Sequence, residues 1–171
     1  MGSSEPKEAH RYLPAPFSTS PEPLELVYQG AEALLYRTTF LSSSTPCALK
    51  IRPPKPWRHP TLDKRLTRQR IFAEARVLAK CAKEGVKVPA VLGIDWEAGW
   101  IAGEWIEGGT VKEAIRSWGR GGGEERKEED LKALMKGIGS TVGRLHAAGI
   151  IHGDLTTSNI CLLYTSDAAD E

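Results

Sequence analysis

The sequence has little that would cross-link the chain, carry it into a membrane or draw it to a charged polymer. Its three cysteines, Cys47, Cys81 and Cys161, are odd in number and far apart, and no histidine or cysteine stands at a metal-ligand spacing from them. These spacings exclude a disulfide framework and a cysteine-based zinc site. No apolar run approaches the length of a membrane-spanning helix, and no secretory signal is present. We therefore expect a reducing compartment, the cytoplasm and nucleus, and no membrane partner.

The composition is that of a globular protein with one short exception. Of the 171 residues, 40% are hydrophobic and 26% charged, which is enough apolar content for a core, and the net charge of +1 gives no overall attraction to nucleic acid. Residues 1–23 are rich in proline, serine and charge and have no periodicity. We predict that they form a disordered leader outside the core.

The pattern from Leu24 is typical of an antiparallel sheet. Two partly alternating apolar runs flank the segment "QGAEA" at 29–33, which predicts strand, tight turn and strand. The segment "SSSTP" at 42–46 is predicted to be a loop, and "CALKIR" a third strand. A helix is predicted from Leu62 to Glu84, followed by two strands, "VPAVLGID" and "WIAGEWI".

The rest of the chain is predicted to be mainly helical. A short helix, "TVKEAIRSW", precedes a glycine-rich charged segment at 119–130, which we predict to be a solvated loop. A core helix is predicted from Leu131 to Ala148, because its apolar residues recur at three- and four-residue intervals.

A polar cluster follows this helix in the segment "IIHGDLTTSNI". The spacing of His152, Asp154 and Asn159 matches the catalytic loop of phosphoryl-transfer enzymes, in which the aspartate accepts a hydroxyl proton and the asparagine holds a metal ion. A lone His-x-Asp is more often a polar turn. The asparagine at the right offset and the preceding helix favour the catalytic interpretation.

Three residues nearer the N-terminus stand in the order that phosphoryl transfer requires. Gly30 lies in a turn that could approach phosphates, Lys50 lies on the predicted third strand, and Glu74 lies in the middle of the predicted helix, where its carboxylate could hold the lysine. Taken singly, Lys50 is as well explained by a strand-end lysine and Glu74 by a solvated carboxylate. Their order with the polar cluster favours the functional interpretation.

Several segments together resemble one family, the small atypical protein kinases of the KEOPS (EKC) complex, also called the p53-related protein kinase family. The most specific are "HGDLTTSN" and the pattern "RHPxLDxRL", with support from "QGAEA", "ALKIR" and "EWIEG". The resemblance implies an α+β, protein-kinase-like bilobal fold. Residues 24–107 would form a complete N-lobe and residues 108–160 the truncated start of the helical C-lobe. A generic kinase would have arginine where Gly153 stands and a longer glycine loop.

The resemblance also implies a role for each candidate residue. It implies ATP and Mg²⁺ as cofactors, Asp154 as the catalytic base, Asn159 as a metal ligand, Lys50 as the phosphate-binding lysine and Glu74 as its ion-pair partner. Gly30 would shape the phosphate turn. The main chain from Glu104 to Ile106 would form the hinge that binds adenine.

The implied activity is that of a serine/threonine protein kinase or ATPase. It would support threonylcarbamoyl modification of adenosine in tRNA, with the transferase subunit and the small accessory subunit of the complex as partners. Between Lys50 and Arg70 the sequence has eight basic residues and one acid, Asp63. This basic segment could contact RNA phosphates, or it could be a solvated helix face with little aromatic content beyond Trp57.

The end of the chain departs from the family pattern. No Asp-Phe-Gly segment, which would supply a second metal-binding aspartate, follows Asn159. We expect residues 161–171, "CLLYTSDAADE", to be a non-native extension translated from a sequencing adaptor, and the chain as given to be inactive. Two alternatives stay open: a small-molecule phosphotransferase of the aminoglycoside or choline type, which shares the "HGDLxxxN" loop, and a nonenzymatic partner-binding remnant.

Overall fold

The computed structural model describes residues 13–118 and 124–163. The chain divides into two compact units. Unit 1 comprises Met1–Ala82 and Val88–Trp105, and unit 2 comprises Lys83–Lys87 and Ile106–Glu171. No helix within the described ranges is both long enough and apolar enough to cross a membrane.

Unit 1 is built on an antiparallel sheet of five strands in the order β1-β2-β3-β5-β4. The strands are β1 Glu25–Gln29, β2 Leu34–Phe40, β3 Ser42–Ile51, β4 Val91–Asp95 and β5 Trp100–Glu104. The predicted antiparallel arrangement of the first three strands is confirmed, with Gln29 opposite Leu34 and Leu35 opposite Lys50. Strands β4 and β5 also lie within the two predicted segments "VPAVLGID" and "WIAGEWI".

The predicted loop at 42–46 is wrong. These residues form the first half of β3, because the chain reverses at once at Leu41, which has a φ of 60°, and Ser42 pairs with Phe40. The composition of serine, threonine and proline is typical of loops. Here the pairing of Pro46 and Cys47 with β2 determines the structure instead.

One hydrophobic cluster of unit 1 lies on one face of the sheet, and Ile71, Cys81 and Ile101 are buried outside it. Alternate residues of three strands supply this cluster: Leu34 and Tyr36 from β2, Cys47, Leu49 and Ile51 from β3, and Trp100 and Ala102 from β5. This alternation follows from the two-residue period of a strand.

The predicted leader is not wholly outside this core. Phe17 is only 5% exposed and packs edge-on against Trp100, with ring centroids 5.1 Å apart. Leu13 packs against the same cluster. The proline-rich composition predicted disorder, but the segment contains one large aromatic residue. Burial of that ring holds the segment against the sheet, although the segment has no periodicity. Residues 1–12 of the predicted leader lie outside the described part of the chain.

Helix α1 spans Pro60–Lys83, close to the predicted Leu62–Glu84. Pro60 occupies the first helical position, which tolerates proline because no backbone donor is needed there. The buried Asp63 carboxylate accepts the backbone N–H of Lys55 at 3.1 Å and pairs with Arg58 at 3.3 Å, which fixes the segment that enters the helix. Gly85, with a φ of 71°, follows the helix end.

Unit 2 contains helices α2 Val111–Trp118 and α3 Glu124–Ala147. The predicted loop at 119–130 is therefore wrong from Glu124 onward, and residues 119–123 lie outside the described ranges. Glutamate, lysine and arginine are good helix formers, and Glu128 pairs with Lys132 one turn later at 2.7 Å. The high helix propensity of these residues determines the structure, although a charged, glycine-rich segment is also typical of a loop.

Helix α3 is not the buried core helix that its apolar period predicts. Among its residues from 128 to 147 none is buried, and the side chains of Leu131 and Met135 are 41% and 58% exposed. The helix does have an apolar face, but the other described residues cover only part of it.

We predict that Phe17→Ala lowers the free energy of unfolding of unit 1 by about 3 kcal/mol, because it removes a buried ring from the core. The measurement is urea unfolding followed by tryptophan fluorescence. Leu41→Ala is the control in the same unit, since Leu41 is 96% exposed, and it should change the free energy by less than about 0.5 kcal/mol. Equal midpoints for the two variants would contradict the placement of Phe17 in the core.

Candidate active site

The structure brings Lys50 and Glu74 together within unit 1. Lys50 lies on β3, opposite Leu35 and Ile101, and its Nζ is 2.7 Å from Oε1 of Glu74 on α1. The two side chains are 34% and 27% exposed. A half-buried ammonium held in this way keeps a fixed position from which it can bind an anion.

A second cation that sequence analysis did not assign to the site shares Glu74. Nη2 of Arg52 is 3.2 Å from Oε2 of Glu74, so each carboxylate oxygen has its own basic partner. Arg52 follows β3 at two residues from Lys50, and the two-residue period of a strand places them on the same side. That spacing was the available sequence signal. Nε of Arg52 is buried and has no hydrogen-bond partner among the described residues.

The turn at Gly30 is closed by a hydrogen bond within the turn itself. The N–H of Gly30 donates to the carbonyl of Ala33 at 2.9 Å, so this donor is already used within the turn. A Cβ on Gly30 would lie 3.0 Å from the ring of Tyr28, but that side chain is 64% exposed and can move aside, so close approach does not by itself require glycine here. Gly30 shapes the turn between β1 and β2 through its hydrogen bond to Ala33.

Three basic side chains fix the same turn from the α1 side. Glu32 accepts hydrogen bonds from Arg70 and, at 3.0 Å, from Arg58, and Nζ of Lys55 donates to the carbonyl of Ala31. The Arg70 hydrogen bond, assisted by Arg58, lowers the pKa of the Glu32 carboxyl below its ordinary value. The carboxylate is therefore ionised at neutral pH and the turn stays tied to α1.

The predicted hinge lies where the chain passes from unit 1 to unit 2. The N–H of Glu104 donates to the carbonyl of Ala90 at 2.8 Å, and its carboxylate accepts the N–H of Ala90 at 3.1 Å. The N–H of Trp105 donates to the carbonyl of Pro46 at 3.4 Å. Ile106, which follows, is half-buried and is the first residue of unit 2 after this passage.

In unit 2, a helix end delivers the chain to the His152–Asn159 loop. Gly149 has a φ of 66° and its N–H donates to the carbonyl of His146 at 2.9 Å, while the N–H of Ile150 donates to the carbonyl of Leu145 at 2.9 Å. These two bonds form a Schellman motif, which ends α3 with a glycine in the left-handed region. The buried Ile150 anchors the start of the loop.

The structure brings Asp154 and Asn159 together. Nδ2 of Asn159 donates to the backbone carbonyl of Asp154 at 2.8 Å and to its Oδ2 at 3.2 Å, and the N–H of Asp154 donates to Nδ1 of His152 at 3.3 Å. All three side chains are exposed. Gly153, with a φ of 77°, takes a conformation that favours glycine over the arginine of a generic kinase.

Helix α2 holds this loop at its N-terminus. The N–H groups of Val111 and Lys112 donate to the carbonyls of Ile160 and Thr157 at 2.9 and 3.0 Å. Thr110 and Glu113 also cap each other, since Glu113 accepts the Thr110 N–H at 2.7 Å and Thr110 Oγ1 accepts the Glu113 N–H at 3.3 Å. The loop thus satisfies helix donors that would otherwise be unpaired.

One oxygen ligand of this loop fits part of a magnesium site. Asn159 uses its amide nitrogen on Asp154 and so keeps Oδ1 for a metal ion. Magnesium prefers oxygen ligands and usually takes one or two from the protein, the rest coming from phosphates and water. Across residues 13–118 and 124–163, no group of three or more histidine, cysteine, aspartate or glutamate side chains could hold a metal ion.

We predict that Gly149→Ala lowers the stability of unit 2 by about 1 to 2 kcal/mol, because alanine at this left-handed position is strained. The measurement is urea unfolding followed by far-UV circular dichroism. Gly143→Ala is the matched control, since a Cβ there would have no neighbour within 4 Å and alanine favours a helix interior by about 0.5 to 1 kcal/mol. Stabilisation by both variants would contradict the assigned helix end.

The chain is similar to proteins of known kinase families. The family model described as "Lipopolysaccharide kinase (Kdo/WaaP) family" matches residues 57–171. The EKC/KEOPS complex subunit bud32 of Aspergillus clavatus is 51% identical over 95% of this chain and 65% of its own length. The EKC/KEOPS complex subunit BUD32 of Gibberella zeae is 49% identical over 99% of this chain and 66% of its own length.

Two solved structures share the fold at low sequence identity. The Rio2 kinase of Chaetomium thermophilum, solved as an ADP/Mg²⁺-phosphoaspartate complex, has a TM-score of 0.66 at 18% identity and covers 86% of this chain and 42% of that one. The PknI kinase domain of Mycobacterium tuberculosis has a TM-score of 0.54 at 16% identity, over 84% of this chain and 56% of that one. These similarities confirm the predicted protein-kinase-like fold.

The relatives are longer than the chain. It spans 61% to 66% of the length of the three Bud32 proteins of Aspergillus clavatus, Aspergillus fumigatus and Gibberella zeae.

The match over residues 57–171 shows that the chain belongs to the kinase family described by the lipopolysaccharide kinase (Kdo/WaaP) model. The chain is also a relative of the fungal EKC/KEOPS complex subunits named Bud32.

Proposed function

We propose that this chain carries the nucleotide-binding and catalytic residues of an atypical serine/threonine protein kinase or ATPase that works as a subunit of the KEOPS complex. The observation that carries the proposal is the 2.7 Å ion pair between Lys50 and Glu74, which are 24 residues apart in the sequence. Membership of a kinase family and the names of the fungal relatives support it.

Each residue has a chemical task in this proposal. Lys50 neutralises charge on the phosphates of ATP, and Glu74, itself bound by Arg52, holds the ammonium in place. The hydroxyl oxygen of the acceptor forms a bond to the γ-phosphorus as the bond to ADP breaks, and the Asp154 carboxylate accepts the hydroxyl proton. In the ATPase reaction water takes the place of the acceptor hydroxyl.

Magnesium, when bound with ATP, neutralises charge on the phosphate oxygens. Asn159 Oδ1 would hold the ion, with phosphate oxygens and water as its other ligands. The hydrogen bond from Asn159 to Asp154 also keeps the proton-accepting carboxylate in one orientation.

We further propose that the partners are the transferase subunit and the small accessory subunit of the complex, in the cytoplasm and nucleus, and that the complex acts on tRNA. The names of the fungal relatives as complex subunits support membership. Free thiols at all three cysteines are in keeping with a reducing compartment.

A small-molecule phosphotransferase is the second candidate. The family model that matches residues 57–171 is named for a lipopolysaccharide kinase, so the acceptor in its name is a glycolipid rather than a protein. The exposed Asp154 is open to either class of acceptor. Because the chain as given is expected to be inactive, binding of a protein or of an amino-alcohol or sugar acceptor, rather than phosphate transfer, separates the two.

We predict that Lys50→Ala weakens binding of a fluorescent ATP analogue by about ten-fold or more, because it removes a charge-assisted hydrogen bond to the phosphates. The affinity is measured by titration, in the presence and absence of magnesium. Lys80→Ala, which changes an exposed lysine on the same helix as Glu74, is the control and should leave the affinity unchanged. Equal affinity of the Lys50→Ala and unmodified proteins would refute the nucleotide site.

We predict a different result for Asn159→Ala, which should remove most of the increase in ATP affinity that magnesium produces and leave the magnesium-free affinity unchanged. The reason is that Asn159 contacts the ion and Lys50 contacts the phosphates. The control is Ser158→Ala, which changes an exposed polar side chain in the same loop and should have no effect on either affinity. Weaker magnesium-free binding by Asn159→Ala would show that the assignment is wrong.

A further inference from the structure

One surface of unit 1 combines basic and aromatic side chains and takes no part in the proposed ATP chemistry. Lys64, Arg68, Phe72 and Arg76 follow one another on α1 at intervals of four residues. Residues four apart lie on the same face of a helix, about 6 Å further along its axis at each step. Together with Arg65 and with Trp96, which follows β4, these residues form what we call the α1 surface.

The aromatic part of the α1 surface is a stacked pair. The rings of Phe72 and Trp96 have centroids 4.8 Å apart and planes inclined by 27°. The guanidinium of Arg68 lies 5.7 Å from the Phe72 centroid and 5.8 Å from that of Trp96, and Arg76 lies 5.7 Å from Phe72. Trp96 is 37% exposed, so part of its ring is open to a ligand.

A hollow of about 440 Å³ lies against Trp96. Its lining combines three basic residues of α1 with one aromatic residue and one acid: Lys64, Arg65, Arg68, Trp96 and Glu97. This volume is within the range of small-ligand sites, roughly 300 to 1,000 Å³, so the hollow is large enough for a nucleotide unit.

The charges of the α1 surface differ from those of the other basic residues between Lys50 and Arg70. Five of the eight are used inside unit 1: Lys50 and Arg52 on Glu74, Arg58 and Arg70 on Glu32, and Lys55 on the Ala31 carbonyl. The remaining three, Lys64, Arg65 and Arg68, form no ion pair with a carboxylate of the described residues. Only three of the eight basic side chains are therefore available to bind a ligand other than ATP. These three lie on α1, beside the stacked rings of Phe72 and Trp96.

We propose that the α1 surface binds a single-stranded segment of RNA. An unpaired base stacks on the exposed part of Trp96, and the flanking phosphates pair with the cations along α1. Proteins that bind single strands combine basic grooves with aromatic or guanidinium planes on which bases stack, and this combination is what distinguishes the surface from a merely basic one. An acidic protein segment would use the cations but would gain little from the exposed indole. Glu97 in the lining repels phosphate and can accept a hydrogen bond from a base amino group.

The test is fluorescence anisotropy of a labelled single-stranded RNA of about 12 nucleotides, titrated with the full chain at several salt concentrations. Lys64→Gln/Arg68→Gln should weaken binding and reduce the slope of log K against log salt by about 1.4, which is about 0.7 for each phosphate that is no longer neutralised. Trp96→Ala should weaken binding about ten-fold or more and leave the slope unchanged, because it removes stacking without removing charge.

Two controls make the result specific. Lys112→Gln/Arg116→Gln removes the same charge from exposed positions on α2 and should leave RNA affinity unchanged. Trp96→Phe keeps an aromatic ring next to Phe72 and should retain most of the binding, which separates stacking from loss of fold. Lys50→Ala should not alter RNA affinity and Trp96→Ala should not alter ATP affinity, so this proposal and the proposed function can fail independently.

Three results would overturn the proposal. One is the absence of RNA binding by the unmodified chain. Another is an equal loss of affinity in the α1 and α2 double variants, which would indicate a diffuse charge effect. The third is full competition by poly-glutamate together with unchanged binding by Trp96→Ala, which would assign the surface to an acidic protein partner.

Discussion

The register of β3 is the constraint on which the rest of unit 1 depends. Leu49 and Ile51 face the core, so the two-residue period of the strand sends Lys50, between them, to the opposite face. A slip of one residue would bury the ammonium and expose two large apolar side chains. The apolar alternation of β2 and β3 therefore does more than form a core, because it also determines which face presents the lysine that reaches Glu74 on α1.

The ion pairs around this face organise the molecule more than they stabilise it. Glu74 and Glu32 are each bound by two cations, and their side chains are 27% and 45% exposed. Ion pairs with this exposure contribute about 0 to 1 kcal/mol each, so they are not what keeps unit 1 folded. Their effect is positional: one carboxylate fixes Lys50, and the other ties the β1–β2 turn to α1. Lys64, Arg65 and Arg68 of the α1 surface, in contrast, form no ion pair with a carboxylate of the described residues.

The His152–Asn159 loop is fixed at its two ends, while its polar side chains stay exposed. A Schellman motif at Gly149, the buried Ile150 and two N–H groups of α2 fix its ends, while His152, Asp154 and Asn159 stay exposed. The Schellman motif forms within the helix end and the start of the loop, whereas the α2 donors Val111 and Lys112 lie far from the loop in the sequence. The hydrogen bond between Asn159 and Asp154 joins two residues of the same short segment.

The sequence by itself determined the antiparallel start, the place of α1 and the residues of the His152–Asn159 loop, because strand alternation, helix period and short motifs act over a few neighbouring residues. Only the tertiary structure decided that Phe17 joins the core, that "SSSTP" pairs as a strand and that α3 stays half-exposed. The same holds for Arg52 on Glu74 and for Trp96 beside Phe72 and Arg68. Each of these features depends on contacts between residues that are far apart in the sequence. The amino acids next to a residue in the chain do not specify such contacts.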